Sequence, residues 1–326
     1  MEYAYKFRIY PTEAQKDQIA QTFRGCRFVY NTFLEERIEL YKNEKKSLSY
    51  FTQSKEIKLL RQENSWLNEL DSTALYAAAK DLDVAYQNFF RRVKKGEKPG
   101  FPRFKSRYDT NRSYRCRGSI LLGENSIRLP KLGFVKCSIS KKVEGRILSV
   151  TVSQPPSDRY YISICCTDVE IHPLPATGKT VEIVYGPGLE DGVFAIASDG
   201  TQYDMPHFLE QASEKLTRLQ QKLSGQEKDS HRREKTRVKI ARIYEHIANQ
   251  RKDFLHQMTI RLVRKYDTIY LPNVVLKEKR EEKGDDAKKI DDSAWGEFKR
   301  ELMYKANWYG KEVVVKQKEE EDHEKN

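Results

Sequence analysis

The sequence predicts an α+β chain of several domains, and three changes of pattern along its 326 residues predict it. Apolar residues recur at helical spacing up to about Lys95. Short alternating segments punctuated by Gly and Pro follow to about Cys166. From Thr180, strands give way to long helices and then to strands again. A hydrophobic content of 38% over this length supplies a core for each pattern.

The elements follow in order. Tyr3–Tyr10 alternates and stops at Pro11, which predicts a short strand. Thr12 with Gln15 three residues on predicts a capping box. Helical spacing then continues through Phe28, Val29, Thr32 and Phe33 and again through Leu75, Ala78, Ala79 and Leu82, broken at 64–71, so 11–95 reads as a small helical bundle. Residues 96–107 form a turn-rich basic stretch. Strands are expected at 120–122, 126–129, 134–139, 148–152 and 160–165, a small β-barrel that 3–10 would return to join, and 171–179 is a linker. Next, 181–184 and Val193–Ala197 predict a hairpin, Phe208–Ser224 a helix, 225–230 a polar turn, and 231–266 a very long helix. A strand at Thr268–Leu271, a helix at 294–309 and a strand at Glu312–Val315 complete an α/β layer of the RNase H type. The Glu-rich end reads as a solvated, disordered tail. The expected divisions are therefore 1–10, 11–95, 96–172, 173–315 and 316–326.

Charge narrows the partner. A net charge of +12 and a pI near 9.2 point to a polyanion, bound through salt-dependent phosphate contacts. Five cysteines without a C-x-x-C pair argue against both a disulfide framework and a zinc ribbon, and favour reduced cytosolic thiols. The N-terminus carries charges throughout, unlike a secretory signal, and no apolar run nears the roughly 20 residues of a membrane span. No membrane partner is expected, and the expected location is the bacterial cytoplasm, associated with the nucleoid.

Two constellations fit such a partner. The long helix carries Arg232, Arg233, Lys235, Arg237, Lys239 and Arg242 within three turns against Glu234, a one-sided run suited to a nucleic-acid backbone. The segment from Lys98 to Arg117 interleaves Lys98, Arg103, Lys105, Arg107, Arg112, Arg115 and Arg117 with Phe101, Phe104, Tyr108 and Tyr114. That mixture suits RNA, because rings stack on splayed bases while cations meet phosphates. Phe101 and Phe104, flanking Pro102, are also candidates to tuck under the barrel.

A third observation concerns acids that are missing. Residues 181–186 read V-E-I-V-Y-G, a strand running into a glycine turn. A sheet-based nuclease would place its first metal-binding aspartate at the fourth position, where this chain has Val184. A second carboxylate is expected at the end of Thr268–Leu271, where Pro272 follows, and a third would lie beyond Asn326. Two-metal hydrolysis needs such carboxylates, so the expectation is no metal, no cofactor and no enzymatic activity. Glu182, Glu190 and Asp191 are the substitutes that residual cutting would use; period-two alternation puts Glu182 on the same side of its strand as Val184.

Several motifs then resemble one family: K-F-R-I-Y-P-T at 6–12, C-R-F-V-Y-N at 26–31, P-G-F-P-R-F-K-S at 99–106, L-P-K-L-G-F-V-K at 129–136, N-Q-R-K-D-F-L-H at 249–256, D-D-S-A-W-G-E-F at 291–298 and Y-K-A-N-W-Y-G at 304–310. They are similar to the TnpB proteins, RNA-guided nucleases encoded by insertion sequences. The resemblance implies a helical recognition domain, a wedge barrel split around it, and a RuvC-like domain, here truncated before the family's zinc ribbon and final aspartate. With Val184 and Pro272 at acid positions, it implies a nuclease-dead form. Such a protein, monomeric in its ribonucleoprotein, would carry a guide RNA, hold a double-stranded DNA target beside a short flanking motif, and repress transcription by blocking a promoter. Tyr50, Ser54, Ser72, Thr73, Tyr76 and Lys80, clustered around the helix break, would read the flanking motif. The alternatives are residual RNA-guided cutting and a transposon-derived accessory protein that binds guide RNA alone.

Overall fold

A computed structural model describes residues 1–186, 192–274 and 294–316. The chain is mixed α+β and divides into two compact units, Met1–Glu170 and Ile171–Asn326.

The first unit is a seven-stranded antiparallel sheet with a helical insertion. Its strands are β1 (Tyr3–Tyr10), β2 (Arg112–Cys116), β3 (Leu121–Leu122), β4 (Ser126–Leu129), β5 (Gly133–Ser138), β6 (Arg146–Gln154) and β7 (Tyr160–Thr167), in the order β2-β6-β7-β1-β5-β4-β3. The N-terminal strand thus lies inside the sheet, pairing with β7 on one side and β5 on the other. Alternation sends Tyr5, Phe7 and Ile9 inward with Ile162, Ile164, Val150 and Val152. Between β1 and β2 come helices α1 (Glu13–Glu44), α2 (Tyr50–Glu63) and α3 (Ser72–Lys94), with a short 3-10 turn at Ser65–Glu69.

Local chemistry sets these boundaries. The Gln15 amide N–H donates to Thr12 Oγ1 at 3.3 Å, and the Thr12 amide donates back to Gln15 Oε1 at 3.0 Å. Gln15 Nε2 also donates to the carbonyls of Leu132 and Phe134, tying the start of α1 to the β4–β5 turn. The helical run has a second break beyond the expected one at 64–71. Lys45 takes a left-handed φ of 56°, and Ser49 then caps α2 by accepting from the Thr52 amide at 3.3 Å. The interleaved Lys98–Arg117 segment runs into β2, a strand not among those expected, because Tyr114 and Cys116 are buried against β6.

The second unit holds β8 (Thr180–Tyr185), β9 (Val193–Ala197), β10 (Gln202–Asp204), α4 (Phe208–Ser224), α5 (His231–Lys265), β11 (Thr268–Leu271), α6 (Trp295–Trp308) and β12 (Glu312–Val315). Its five-stranded sheet runs β10-β9-β8-β11-β12; the first three strands are antiparallel, while β11 pairs in parallel with both β8 and β12. Val181, Ile183, Ala195, Ile269 and Leu271 pack against Leu255, Met258, Leu262 and Val263 of α5 and Trp295, Phe298 and Leu302 of α6. Lys305 is buried between these helices, and its Nζ donates to Glu301 Oε2 at 3.1 Å, Thr259 Oγ1 at 2.5 Å and the His256 carbonyl at 3.2 Å. Three acceptors offset the cost of burying such a polar group.

A clamp at Asp267 closes this unit. Its carboxylate accepts from Lys311 Nζ, from the Thr177 amide at 2.8 Å and from the Gly178 amide at 2.6 Å. The Lys311 hydrogen bond above all, helped by the two amides, lowers its pKa to about 2 from the ordinary 3.8. A carboxyl with a depressed folded pKa contributes stability that is complete above its unfolded pKa and lost as pH falls through the folded one. Asp267→Asn is therefore expected to be less stable than wild type at neutral pH, the gap narrowing as pH falls from about 4 towards about 2. Urea midpoints of both proteins across that range check it; a gap that stays constant with pH would show that the carboxylate's charge is not what holds the clamp.

Candidate nucleic-acid interface

The second unit's basic surface is built on the α4–α5 hairpin. Ser230 caps α5 by accepting from the Arg233 amide at 3.2 Å. Arg233 turns back, its Nη1 donating to the carbonyls of Leu223 at 2.5 Å and Gln226 at 2.9 Å, which satisfies the C-terminal end of α4. Further along, Gln220 Nε2 donates to Tyr244 Oη at 3.4 Å. On the helix so fixed, Arg232, Lys235, Lys239, Arg242 and His246 recur at steps of three and four and share one edge. At 1.5 Å per residue that edge is about 21 Å long.

Two hollows lie along it. One of about 770 Å³ at the turn is lined by Lys222, Arg232, Lys235 and Lys239 among others. Another of about 970 Å³ lies between the helices, lined by Lys215, Arg218, Lys239, Arg242 and His246 with Leu219 and Ile243. Lys239 lines both. The linings hold two carboxylates, Glu227 at the turn and Glu214, which pairs with Arg218. A cation-lined trough of this length matches a phosphate backbone, whose charges repeat along a line.

The structure divides the predicted cluster. Arg232, Lys235, Lys239 and Arg242 share the trough. Arg233 spends its guanidinium on the α4 carbonyls, and Arg237 forks onto Glu234, with Nε to Oε2 at 2.8 Å. Lys215, Lys222 and His246 join the trough and were missed. Their signal was present: Lys215 and Lys222 stand seven residues apart, on one face of α4.

In the first unit, the side-chain amide of Asn31 on α1 pins the basic loop, accepting from the Lys105 amide at 2.8 Å and donating to its carbonyl at 2.9 Å. Lys105 Nζ then sits 4.1 Å from the centroid of the Tyr30 ring. Lys98 and Arg103 are exposed, and the Arg107 guanidinium lies over Tyr108, itself 73% exposed. Arg112 donates to the Asp109 carbonyl at 2.8 Å and Arg115 to Asp81 at 2.6 Å, so these two brace the fold locally. The Arg117 side chain is exposed, while its amide donates to Thr73 Oγ1 at 3.0 Å.

Around the helix break, Thr73, Tyr76 and Lys80 share the outer face of α3, opposite buried Ala74, Leu75, Ala78, Ala79 and Leu82. Thr73 binds the Asp71 carboxylate as well as Arg117. Lys80 Nζ sits 4.9 Å from the Tyr50 ring centroid and pairs with Asp83 at 3.0 Å. Burial pushes the Asp83 carboxyl up, but Lys80, the Tyr50 amide and Arg37 outweigh it and hold its pKa below the ordinary value. Ser54 donates to the Phe51 carbonyl within its own helix, and Ser72 is half-buried at the start of α3. Tyr76 and Lys80 are thus the exposed members of this set, with half-buried Tyr50 beside Lys80.

The sheet face away from α5 and α6 carries the acid positions. Glu182 and Val184 stand there together, Val184 being 42% exposed, and Glu182 pairs with Lys316 at 2.6 Å. Pro272 follows β11 directly, and its carbonyl accepts from the Val274 amide. Glu190, Asp191 and the acid-rich stretch 278–292 lie outside the described residues. Among the described residues no three His, Cys, Asp or Glu side chains are grouped to hold a metal.

By charge and geometry, this mixed α+β chain presents the surface of a polyanion-binding protein. Comparisons with known proteins sharpen that class. Two family models match, one described as a helix-turn-helix domain over residues 1–46 and one described as a probable transposase over residues 192–281. A putative RNA-guided DNA endonuclease of Streptomyces pristinaespiralis is 31% identical over 320 residues, covering 96% of this chain and 76% of that protein. The putative RNA-guided DNA endonuclease InsQ of Escherichia coli strain K12 is 31% identical over 331 residues, covering 96% of this chain and 79% of that protein. The chain belongs to the TnpB family. In fold it is similar to a chain of the cryo-EM Cas12f1–sgRNA–target DNA complex, with a TM-score of 0.53, 12% identity, and coverage of 97% and 89% of the two chains. Residues 1–46, despite the first model's description, form strand β1 and the single helix α1.

These relatives correct one expectation. The chain was expected to be no enzyme, yet the two relatives spanning 96% of it are both named endonucleases. The physical reason is that Val184 and Pro272 report on two motif positions alone. Carboxylates elsewhere in the chain, including those of 278–292, are not addressed by them.

The trough makes a prediction. Replacing Lys235, Lys239 and Arg242 with Ala is expected to weaken nucleic-acid binding equally for unrelated sequences and to flatten the salt dependence, by roughly one unit of log–log slope per lost phosphate contact. Arg233→Ala is instead expected to lower the melting temperature with little change in slope. Fluorescence-anisotropy titrations at several salt concentrations check both, and an unchanged slope in the triple variant would leave the trough merely solvated.

Proposed function

We propose that this chain carries a guide RNA and uses it to hold a double-stranded DNA target. The observation that carries the reading is the cationic trough along α4 and α5, in a chain whose relatives from Streptomyces pristinaespiralis and Escherichia coli are named as RNA-guided DNA endonucleases. The trough meets the phosphates of the guide or its heteroduplex; in the first unit Lys98, Arg103, Lys105, Arg107 and Arg117 offer phosphate contacts of their own, and Arg112 and Arg115 brace the loop that presents them. Base pairing reads the sequence, while Tyr50, Tyr76 and Lys80 approach a short flanking motif, with Ser54, Ser72 and Thr73 supporting the helix ends behind them. In this reading the first unit's sheet is the wedge barrel split around a recognition bundle, the second unit is RuvC-like, and one protein chain serves each ribonucleoprotein in the bacterial cytoplasm. A target lying across a promoter excludes RNA polymerase and lowers transcription.

Sequencing the RNA that co-purifies with the chain, expressed beside its native flanking DNA, tests this. The expected result is one structured species ending in a short segment that matches a chromosomal promoter, with a reporter on that promoter repressed only when the match is intact. Random fragments, or repression indifferent to the match, would overturn it.

A second reading, guided cutting of the target, is favoured by the relatives' names and by Glu182, a carboxylate at the centre of the five-stranded sheet. It predicts Mg²⁺-dependent breaks in a matched plasmid that disappear in Glu182→Ala. Intact plasmid at saturating metal, with binding retained, removes it.

A further inference from the structure

The last two turns of α3 and the basic loop form a feature that the trough does not explain. Phe101 leaves its loop and packs edge-on against α3, with ring centroids 5.7 Å from Tyr86 and 5.4 Å from Phe89. Phe90 joins the same cluster, 5.1 Å from Phe89 and 6.1 Å from Tyr86. Tyr86 and Phe89 are half-buried and form the floor, and the Arg37 guanidinium lies over Tyr86, 5.0 Å from its centroid. Phe90 and Phe101 remain 59% and 49% exposed, beside Val93 at 50%. Phe90 and Phe101 thus rest on the same Tyr86–Phe89 floor while each keeps about half of its surface in solvent, a paired apolar exposure that scattered single surface rings do not make.

Charge says what fits those faces. Between residues 91 and 107 the chain has eight cations, Arg91, Arg92, Lys94, Lys95, Lys98, Arg103, Lys105 and Arg107, against the single carboxylate of Glu97, and all of them are exposed. A protein or lipid tail would use the rings but not this surplus. A duplex would use the surplus but not the rings, because its bases are already stacked on each other. Unpaired nucleotides use both, with bases on the rings and phosphates on the cations.

We propose that Phe90 and Phe101 form a stacking platform for two unpaired bases of a single-stranded nucleic acid, whose backbone runs along the cations from Arg91 to Lys98. This deepens the guided-binding reading and rests on it, since RNA-guided pairing leaves single-stranded segments that need a seat.

The test uses the full chain, freed of co-purifying RNA at high salt, with fluorescein-labelled dT20 and a 20-base-pair duplex as probes. Stacking on a ring strengthens binding by roughly five- to a hundred-fold per base. Phe90→Ala/Phe101→Ala should therefore weaken dT20 binding about tenfold or more, leave the salt slope and duplex binding unchanged, and leave the melting temperature close to that of wild type. Phe90→Trp should retain dT20 binding, since a larger ring stacks as well. Wild-type affinity for dT20 in the double variant would overturn the platform, and so would an equal loss on dT20 and duplex or a flattened slope. Failure of the guided reading shows separately, as purified protein that carries no defined RNA species while the dT20 effect persists.

Discussion

Helix α5 has to satisfy two incompatible environments, and the second unit is arranged around that constraint. Its C-terminal half must be apolar enough to seat Leu255, Met258, Leu262 and Val263 on the sheet. Its N-terminal half is so cationic that like-charge repulsion opposes the helix, at a few tenths of a kcal/mol for each neighbouring pair. The seated half provides the anchor, and α4 with the Arg233 cap provides the brace. The result is a braced helix that fixes where its exposed lysines and arginines start from, so that they line one trough beside α4.

The first unit solves a different problem. Because β1 lies between β5 and β7, the sheet cannot be completed until the chain has passed through α1, α2 and α3 and returned. The helical insertion is held to the sheet region by polar contacts at its start and at the head of α3, Gln15 to the β4–β5 turn and Thr73 to Arg117. Side chains that a sequence reader would nominate for recognition are partly consumed by this stitching. Thr73, Arg112 and Arg115 owe their positions to the fold before they owe anything to a ligand.

Much of this was legible in the sequence, and the limits are physical. Period-two alternation exposed β1, and the period of 3.6 exposed α3 and α5, because burial on one face imposes those spacings. The Thr12–Gln15 box was readable because capping is local in sequence. Strand β2 was not, since Tyr114 looks like any aromatic among arginines until β6 covers it. The separation of Arg233 from Arg232, Lys235, Lys239 and Arg242 was also hidden, because only the position of α4 brings carbonyls within its reach. Arg237 differs, since it pairs with Glu234 three residues away on its own helix. The inference of no enzymatic activity went furthest astray, because it treated two motif positions as the whole of the chain's carboxylate chemistry.

The central claim is that the edge of α5 facing α4 lies against nucleic acid in the assembled ribonucleoprotein. Site-specific photo-crosslinking tests it most directly, with a photoreactive phenylalanine placed either at Ile243, which lines the trough, or at Arg237, which points away along its pairing with Glu234. Crosslinks to RNA or target DNA are expected from position 243 and few from position 237. Equal yields at the two positions, or crosslinks from 237 alone, would contradict it.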